Sequence, residues 1–337
     1  MAGCAMIEPT HPSLMELTKI MQDSDMDATL DDTNATYVDV ENNSGYTITD
    51  AGVYVFTGSA NDYTITVDAQ EEVWIVLDNT SIVNEDSPAI DIKNAAKAYV
   101  YSTGDNHLET TTKDCPIEAD CDIVLCGNGA LRLNSQESCV KSDATVAFVS
   151  GTYELTSAKH GIKADNAIIV VNANISIIST EDGLHAENSE DDTLGYVYIG
   201  SGKISIQSSS DAIHAGSLLQ VDGGEIDLDA WEGMEATVVQ VNGGNVSIHA
   251  VDDAINAGKK SKSYKPLIEI NGGTLTIVMA EGDNDAMDSN SDISINGGTV
   301  DITCGHNPFD YLGNASFTGG ELIVNGAKQT QIIKQKD

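Results

Sequence analysis

Carboxylate side chains recur at one fixed position relative to a short corner that the sequence repeats. The corner consists of an apolar, a polar and a small residue, as in Ile255-Asn256-Ala257. Two residues before its apolar member, five successive copies carry an acid: Asp182, Asp211, Glu232, Asp253 and Asp285. An acid that is kept at one place while its neighbours vary indicates a common task for these residues, which we call the acid column.

The corners recur with a period near 22 residues. From Ile117 to Met287 the steps between them are 23, 22, 22, 29, 21, 21 and 32 residues, and such a period with occasional insertions is typical of a solenoid. The blades of a β-propeller need about 40 residues and RTX calcium repeats about nine, so both are excluded. The sequence therefore predicts an all-β, right-handed parallel β-helix, in which equivalent residues of successive rungs lie about 4.8 Å apart.

Stacking at this distance makes a column of acids costly. Two ionised carboxylates about 4.8 Å apart repel by roughly 3 kcal/mol at an effective dielectric constant near 20, and the chain has 16 basic residues against 53 acids. Ca²⁺ selects flexible sites that are rich in oxygen ligands. We therefore predict calcium at the richest stretch, with candidate ligands Glu232, Glu235, Asp252, Asp253, Asn256, Asp283, Asp285 and Asp288. The alternative is an acidic edge that is simply solvated.

Basic side chains occupy the middle position of the corners. His185 and His214 hold it on adjacent rungs, where imidazoles can bind a transition metal, transfer protons or hydrogen-bond to the neighbouring acids. Lys163 holds it one rung earlier. Lys163 is the candidate base if the chain is a calcium-dependent lyase, whereas a salt bridge from Lys163 to Asp182 is the simpler prediction.

Two aromatic residues are candidate contacts for a sugar. Trp231 replaces a polar residue beside the acids, so we expect an exposed indole that either stacks on a sugar ring or covers a strand edge. Tyr264 belongs to the insertion 259–266, which should protrude from the same side of the solenoid as the insertion 188–195. With His185 and His214, these aromatic side chains form the predicted carbohydrate-binding set.

The composition restricts the partners of the chain. With 337 residues and a net charge of −37, it lacks the clustered Lys and Arg that bind phosphate, so nucleic acid and anionic membrane surfaces are disfavoured. The sequence contains no run of 18 apolar residues, and we therefore predict no transmembrane helix. Residues 1–4 are similar to the end of a lipoprotein cleavage box, which leaves lipid attachment at Cys4 and an ordinary chain start as alternatives.

The ends of the chain differ from the repeats. We predict a leader over 1–44, the β-helix over 45–326 and a tail over 327–337. Ser13-Leu14-Met15-Glu16 is a capping box that predicts a short helix to about Met21, and this helix either covers the open end of the solenoid or belongs to a disordered leader. Cys115 and Cys139 fall on adjacent rungs, where they could form a disulfide or remain buried thiols.

The corners also resemble those of a known family, the secreted clostridial-type carbohydrate-binding parallel β-helix proteins. The resemblance covers about 45–326 and rests on the order of Glu181-Asp182-Gly183-Leu184-His185-Ala186, Ser210-Asp211-Ala212-Ile213-His214-Ala215, Trp231-Glu232-Gly233-Met234-Glu235-Ala236, Asp252-Asp253-Ala254-Ile255-Asn256-Ala257 and Asp285-Ala286-Met287-Asp288-Ser289-Asn290. That family is similar in fold to pectate lyases and binds calcium, cellulose and acidic plant sugars. The resemblance adds Asp182 and Asp211 to the expected calcium ligands.

Together these observations predict a non-catalytic polysaccharide-binding protein that is extracellular or attached to the cell surface, with Ca²⁺ along the acid column. The partner would be a glycan of the plant cell wall, either cellulose or polygalacturonate. One alternative is a calcium-dependent pectate-type lyase with Lys163 as the base. Another is a structural subunit that self-associates through the ends of the β-helix.

Overall fold

The structure is a computed structural model that describes residues 30–42, 44–282 and 284–334. It confirms the predicted fold class, since the chain forms a parallel β-solenoid of about 12 turns with roughly 22 residues in each turn. The leader helix predicted for residues 13–21 and the Cys4 proposal lie outside the described residues. No helix in the described ranges is both long and apolar enough to cross a membrane.

The repeated corners stack into one sheet, which we call the corner sheet. Among the described residues it has 12 parallel strands: Tyr46–Ile48, Ile65–Asp68, Ile90–Asn94, Ile117–Ala119, Val140–Ser142, Ile162–Ala164, Leu184–Ala186, Asp211–Ala215, Glu232–Ala236, Ile255–Ala257, Met287–Ser289 and Asp310–Tyr311.

A second face begins after the loop that follows each corner. Its parallel stack comprises Thr36–Asp39, Gly52–Asn61, Glu72–Asn84, Lys97–Thr103, Ile123–Gly127, Thr145–Phe148, Ala167–Val170, Tyr196–Ile199, Leu218–Val221, Val238–Val241, Leu267–Ile270, Asp292–Ile295 and Ala315–Phe317. A 3-10 turn at Val40–Asn42 follows the first of these strands.

The third face completes each rung. It contains the later halves of Gly52–Asn61 and Glu72–Asn84, followed by Asp105–Thr110, Ala130–Ser135, Thr152–Ser157, Ala173–Ser179, Gly202–Ser208, Glu225–Ala230, Asn245–Ala250, Thr274–Met279, Thr299–Thr303 and Glu321–Val324. The strand Ala327–Gln329 turns back antiparallel on Glu321–Val324 and ends the parallel stack. The sheets thus include Thr36–Asp39 and Ala327–Gln329, which lie outside the predicted range 45–326.

The alternation within each corner decides which side chains reach solvent. In the strand Ile162–Ala164 the first and third residues are buried and Lys163 points outward, half-buried. The same pattern holds in Leu184–Ala186 and Ile255–Ala257. Successive side chains of a strand point to opposite faces, so the apolar and small residues build the core while the polar residues line the outer surface of the corner sheet.

Cys115 and Cys139 do not form a disulfide. Both are buried free thiols, and burial raises the pKa of Cys115 to about 12. Cys139 donates instead to the carbonyl oxygen atoms of Leu133 and Thr156, at 3.4 and 3.3 Å. The two cysteines are therefore small buried side chains, the second of the two alternatives predicted from their spacing.

Gly-Gly turns join the second face to the third, and the second glycine of each pair has a positive φ. Gly244 has φ +85°. A Cβ atom built on it would lie 2.8 Å from the carbonyl carbon of Gly223 and 2.9 Å from the oxygen of Gly224, in the turn of the preceding rung. Both the backbone conformation and the distance between stacked turns therefore require glycine here.

We predict that Gly244→Ala lowers the free energy of unfolding by about 1–2 kcal/mol, because an L side chain is strained in this backbone region and its Cβ would collide with the rung below. Urea unfolding followed by circular dichroism measures the loss. Ser247→Ala, at an exposed position on the same rung, is the control. Equal unfolding midpoints for the two variants would contradict the prediction.

Candidate functional site

Strand register in the corner sheet places the predicted site residues in straight columns. His185 pairs with Lys163 on one side and with His214 on the other. The polar column then continues through Glu235, Asn256 and Asp288. Asp211 pairs with Glu232 in the acid column. The columns read from the 22-residue period are therefore confirmed, and the two columns together form one continuous polar surface.

Histidines hydrogen-bond to the acids in the first half of the acid column. Nδ1 of His185 lies 2.7 Å from Oδ2 of Asp182. Nδ1 of His214 lies 3.1 Å from Oδ2 of Asp211 and 2.9 Å from Oε2 of Glu235. The two imidazole rings stack with their centroids 4.8 Å apart. Of the roles considered for these histidines, the structure confirms hydrogen bonding to the neighbouring acids.

These contacts shift the pKa values of the paired groups. Burial opposes the charge on His214, but hydrogen bonds to Asp211 and Glu235 outweigh it and raise the imidazole pKa to about 10. Burial likewise opposes ionisation of Glu235, yet hydrogen bonds from His214 and Lys260 lower its pKa to about 2. For Asp182, the hydrogen bonds from His185 and Ser210 overcome burial and hold the pKa well below its usual range. All three groups are therefore charged at neutral pH.

Lys260 is a member of this network that sequence analysis missed. It belongs to the insertion 259–266, and its Nζ lies 2.8 Å from Oε1 of Glu235. The two insertions contact each other, since Asp192 accepts hydrogen bonds from the backbone N–H of Lys262 at 2.8 Å and from the Ser263 hydroxyl at 2.6 Å. A contact between residues 70 positions apart is not visible in the repeat, so the 22-residue period does not point to Lys260.

In the second half of the acid column, Glu232 and Asp253 form no ion pair with a histidine or a lysine among the described residues. Burial, followed by repulsion from Asp211 and Glu235, raises the pKa of Glu232 to about 7. Burial and repulsion from Glu232 raise the pKa of Asp253 to about 8, with Asp288 among the further causes. The pKa of Asp288 is also raised, first by burial and then by Asp310. This part of the corner sheet therefore gathers more negative charge than its own side chains can balance.

Two buried amide oxygens lie among these acids. Nδ2 of Asn256 donates to Oε2 of Glu232 at 3.1 Å, while Oδ1 of Asn256 is buried and has no hydrogen-bond partner among the described residues. Asn284 is similar, because its Nδ2 donates to the carbonyl oxygens of Val251 and Ala280 and its buried Oδ1 has no partner in the described ranges. A buried acceptor without a donor is costly, and an amide oxygen is a good ligand for a hard cation.

Several groups of side chains could hold a metal ion. Within each group the donor atoms lie within 4.8 Å of one another, and the groups found among the described residues are His160, Asp182 and His185; Asp182, Asp211 and His214; and Asp211, Glu232 and Glu235. Asp285 is half-buried and pairs with Asn307 through a backbone bridge one rung on. Asp283 lies outside the described residues. The column therefore brings metal-binding donors together from His160 to Glu235, and none of these groups includes Asp252, Asp253, Asp285 or Asp288 of the predicted calcium stretch.

Lys163 does not form the predicted salt bridge with Asp182, which His185 occupies instead. Among the described residues Lys163 has no ion pair. It lies half-buried in a concave pocket of about 400 Å³, whose lining also includes Lys141, Lys159 and His160. The reason is that Asp182 and His185 lie three residues apart on the same rung, whereas Lys163 lies on the preceding rung beside His185.

The two aromatic candidates lie in different surroundings. The side chain of Trp231 is 51% exposed, and its Nε1 donates to Oδ2 of Asp252 at 3.2 Å. Tyr264 is half-buried against the apolar cluster on the second face that contains Tyr196 and Leu218. Trp231 thus matches the prediction of an exposed indole beside the acids, whereas Tyr264 packs on another part of the solenoid.

With this geometry in hand, comparison with known proteins assigns the family. The family model of carbohydrate-binding domain-containing proteins matches residues 42–283 and 229–335. The chain belongs to this family. No curated protein matches it. A solved structure, that of the polysaccharide lyase-like protein from C. thermocellum as a gadolinium derivative, is 21% identical with a TM-score of 0.48. The similarity covers 85% of this chain and 98% of that one.

We predict that His214→Gln lowers the free energy of unfolding by about 3–5 kcal/mol near neutral pH, because it leaves two buried carboxylates without their shared cation. The folded pKa near 10 exceeds the ordinary 6.5, so this stabilisation is complete below pH 6.5 and disappears as the pH rises to 10. Thermal unfolding across this interval should show the gap between wild type and variant closing. A gap that is constant with pH, or equal to that of the exposed His249→Gln control, would refute this account.

Proposed function

We propose that this protein is a non-catalytic, extracellular polysaccharide-binding protein that carries Ca²⁺ on the second half of the acid column. The candidate ligands are Glu232, Asp253, Asn256, Asp285 and Asp288. The observation that carries the proposal is the crowding of carboxylates around Asp253, whose pKa is raised to about 8 by burial and by four neighbouring acids. A divalent cation supplies the charge that this cluster lacks.

The chemistry of the donors favours calcium over a transition metal at this place. Every candidate ligand offers oxygen, and Ca²⁺ takes six to eight oxygen ligands from carboxylates, amides and backbone carbonyls. The unpaired Oδ1 of Asn256 fits the same requirement. Asp182, Asp211 and Glu235 were also predicted as calcium ligands, but histidines or Lys260 already hydrogen-bond to them, and nitrogen donors of this kind are not ligands that Ca²⁺ prefers. The proposal therefore centres on the rungs after Glu232.

An exposed aromatic side chain next to these rungs supports a sugar partner. Trp231 presents about half of its surface to solvent and is tied to Asp252 through its indole N–H. An aromatic face that is held in place can stack on the apolar face of a pyranose ring. A bound calcium ion can in turn bridge a uronic acid carboxylate to the acidic protein, whose charge of −37 would otherwise repel polygalacturonate.

The position of Lys163 supports a binding role over a lyase. In the corner sheet the strand Ile162–Ala164 is three strands from Glu232–Ala236, a separation of about 14 Å along the stack. A base must come within hydrogen-bond reach of the proton that it abstracts. A sugar whose carboxylate is bound at Glu232 and Asp253 would therefore present its ring proton too far from Lys163.

The deciding experiment is co-sedimentation with insoluble cellulose and with calcium-pectate gel, with and without a chelator. We expect the protein to bind, to be released from pectate by the chelator and to leave the mass of the gel unchanged. Loss of gel mass with formation of unsaturated uronate would instead support the lyase. Absence of binding under every condition would overturn the proposed function.

Removing one carboxylate should reveal the cation site directly. We predict that Asp253→Asn is more heat-stable than wild type in chelator, because the raised pKa of Asp253 means that stability falls as the pH rises from 3.8 to 8. The same variant should gain less from added Ca²⁺, since a ligand that binds the folded state more weakly stabilises it less. Differential scanning calorimetry measures both effects. The exposed Asp227→Asn is the control, and equal calcium responses of the two variants would reject the site.

The contribution of the indole can be tested separately. We predict that Trp231→Ala weakens binding to the glycan roughly three- to tenfold, the range expected for loss of one aromatic stacking contact. Its response to Ca²⁺ should not change, because the side chain offers no ligand atom. Ile178→Ala removes an apolar side chain of similar exposure on the third face and should bind like wild type. A Trp231 variant with unchanged affinity would place the sugar elsewhere.

A further inference from the structure

Two imidazoles converge on one carboxylate at the start of the acid column. The rings of His160 and His185 stack with their centroids 4.3 Å apart. Nδ1 of His160 lies 3.5 Å from Oδ2 of Asp182, and Nδ1 of His185 lies 2.7 Å from the same oxygen. All three side chains are largely buried, with 15%, 14% and 8% of their surfaces exposed. Two nitrogen donors and one oxygen donor therefore face a single point.

The hydrogen bonds of His160 fix the tautomer that a metal requires. Its Nδ1 accepts the backbone N–H of Asp182 at 3.2 Å, so Nδ1 carries the lone pair and the proton is on Nε2. Nε2 in turn lies 3.1 Å from Oε2 of Glu181. In this tautomer the lone pair of Nδ1 lies on the side of Asp182, and a metal ion could take it in exchange for the hydrogen bond from the amide.

Glutamates face the outer nitrogens of both rings. Besides the contact between His160 and Glu181, Nε2 of His185 lies 3.7 Å from Oε2 of Glu187. Histidines that bind a metal characteristically donate their other N–H to a carboxylate, which orients the ring and raises its basicity. Glu181 meets this description for His160, whereas Glu187 is near His185 but beyond hydrogen-bond distance. A buried His/Asp/His group with such an outer glutamate has the organisation of a metal centre, and the glycan and calcium proposals do not account for it.

We propose that His160, Asp182 and His185 bind a divalent transition metal of the zinc class, at a site separate from the calcium site. Nitrogen donors favour Zn²⁺ and related ions over Ca²⁺. Zn–N and Zn–O bonds of about 2.0–2.1 Å place tetrahedral ligand atoms about 3.4 Å apart. The 3.5 Å between His160 and Asp182 fits this distance, whereas His185 and Asp182, at 2.7 Å, would move apart by about 0.7 Å. Binding would release the Nδ1 proton of His185 to solvent, with Nε2 of that ring protonated, would break the hydrogen bond from the Asp182 amide to His160, and would leave a fourth position for water.

His214 is not part of this centre although it continues the stack. Its Nδ1 lies 3.1 Å from Oδ2 of Asp211 and 2.9 Å from Oε2 of Glu235, so this nitrogen carries the proton that both carboxylates share. A nitrogen that carries a proton has no lone pair for a metal. The stack therefore divides into two histidines that face Asp182 and one that bridges two carboxylates, and this division separates the zinc-class site from the oxygen-only rungs beyond Glu232.

Isothermal titration calorimetry with Zn²⁺, at a Ca²⁺ concentration that saturates the proposed calcium site, tests the proposal. We expect one equivalent to bind, and Co²⁺ to give the visible absorption of a tetrahedral centre with nitrogen and oxygen ligands. His160→Gln and His185→Gln should each lose this binding and keep the stabilisation by Ca²⁺, which shows that they are folded. Glu181→Gln should weaken Zn²⁺ affinity about 10–100-fold through the orientation of His160.

His249→Gln is the matched control, because His249 is exposed on the third face and also contacts an aspartate, Asp229. It should bind Zn²⁺ like wild type. The proposal is overturned if His160→Gln and His185→Gln bind Zn²⁺ as tightly as this control. It is also overturned if Ca²⁺ displaces Zn²⁺ stoichiometrically, or if Asp253→Asn abolishes the binding of both ions, since either result would mean a single shared site.

Discussion

The stacking of parallel strands at a fixed distance is the constraint on which this molecule depends. Each rung repeats the backbone of the previous one. Residues at the same corner position of adjacent rungs therefore lie about 4.8 Å apart, and where the repeat keeps one residue type, like side chains stack on each other. For apolar residues this is favourable, and Ile162, Leu184 and Ile213 stack without any exposed surface. For carboxylates it is costly, so every acid in the column needs a counter-charge from outside the column.

The chain meets this need in two ways along one surface. In the first half, histidines at the middle of the corner lie beside Asp182 and Asp211, and Lys260 reaches Glu235 from an insertion. In the second half, Asn256 and Asp288 take the place of the histidines, so that the acids of neighbouring rungs raise one another's pKa. The donor atoms on the surface thus change within a few rungs from imidazole nitrogens with carboxylates to carboxylate and amide oxygens alone. The proposed zinc-class site lies among the former and the proposed calcium site among the latter.

Most of the fold could be predicted from the sequence because the repeat itself encodes register. Once Ile255-Asn256-Ala257 is aligned with Met287-Asp288-Ser289, the pairing of all three residues follows, and the structure reproduces it. The period does not predict which neighbouring side chain, on the same rung or on another, contacts a given carboxylate. Lys163 was expected to reach Asp182, but His185 is held nearer by the backbone, and Lys260 arrives through a loop whose course depends on Asp192. His160 stands at the position of the acid column one rung before Asp182, and because it is not an acid the pattern of carboxylates does not identify it as a site residue.

The small residue between each acid and its corner explains how the column can be so close to the core. A Cβ atom at Gly183 would lie 2.4 Å from Cγ2 of Ile206 and 2.6 Å from the backbone oxygen of Ala212. Gly233 is equally restricted, by Ile248 and by the backbone oxygen of Ala254. The backbone next to Asp182 and Glu232 therefore packs directly against the core and against the following rung. Close packing of the core at these two rungs places the carboxylates in partly buried positions, where they require hydrogen-bond donors or cations.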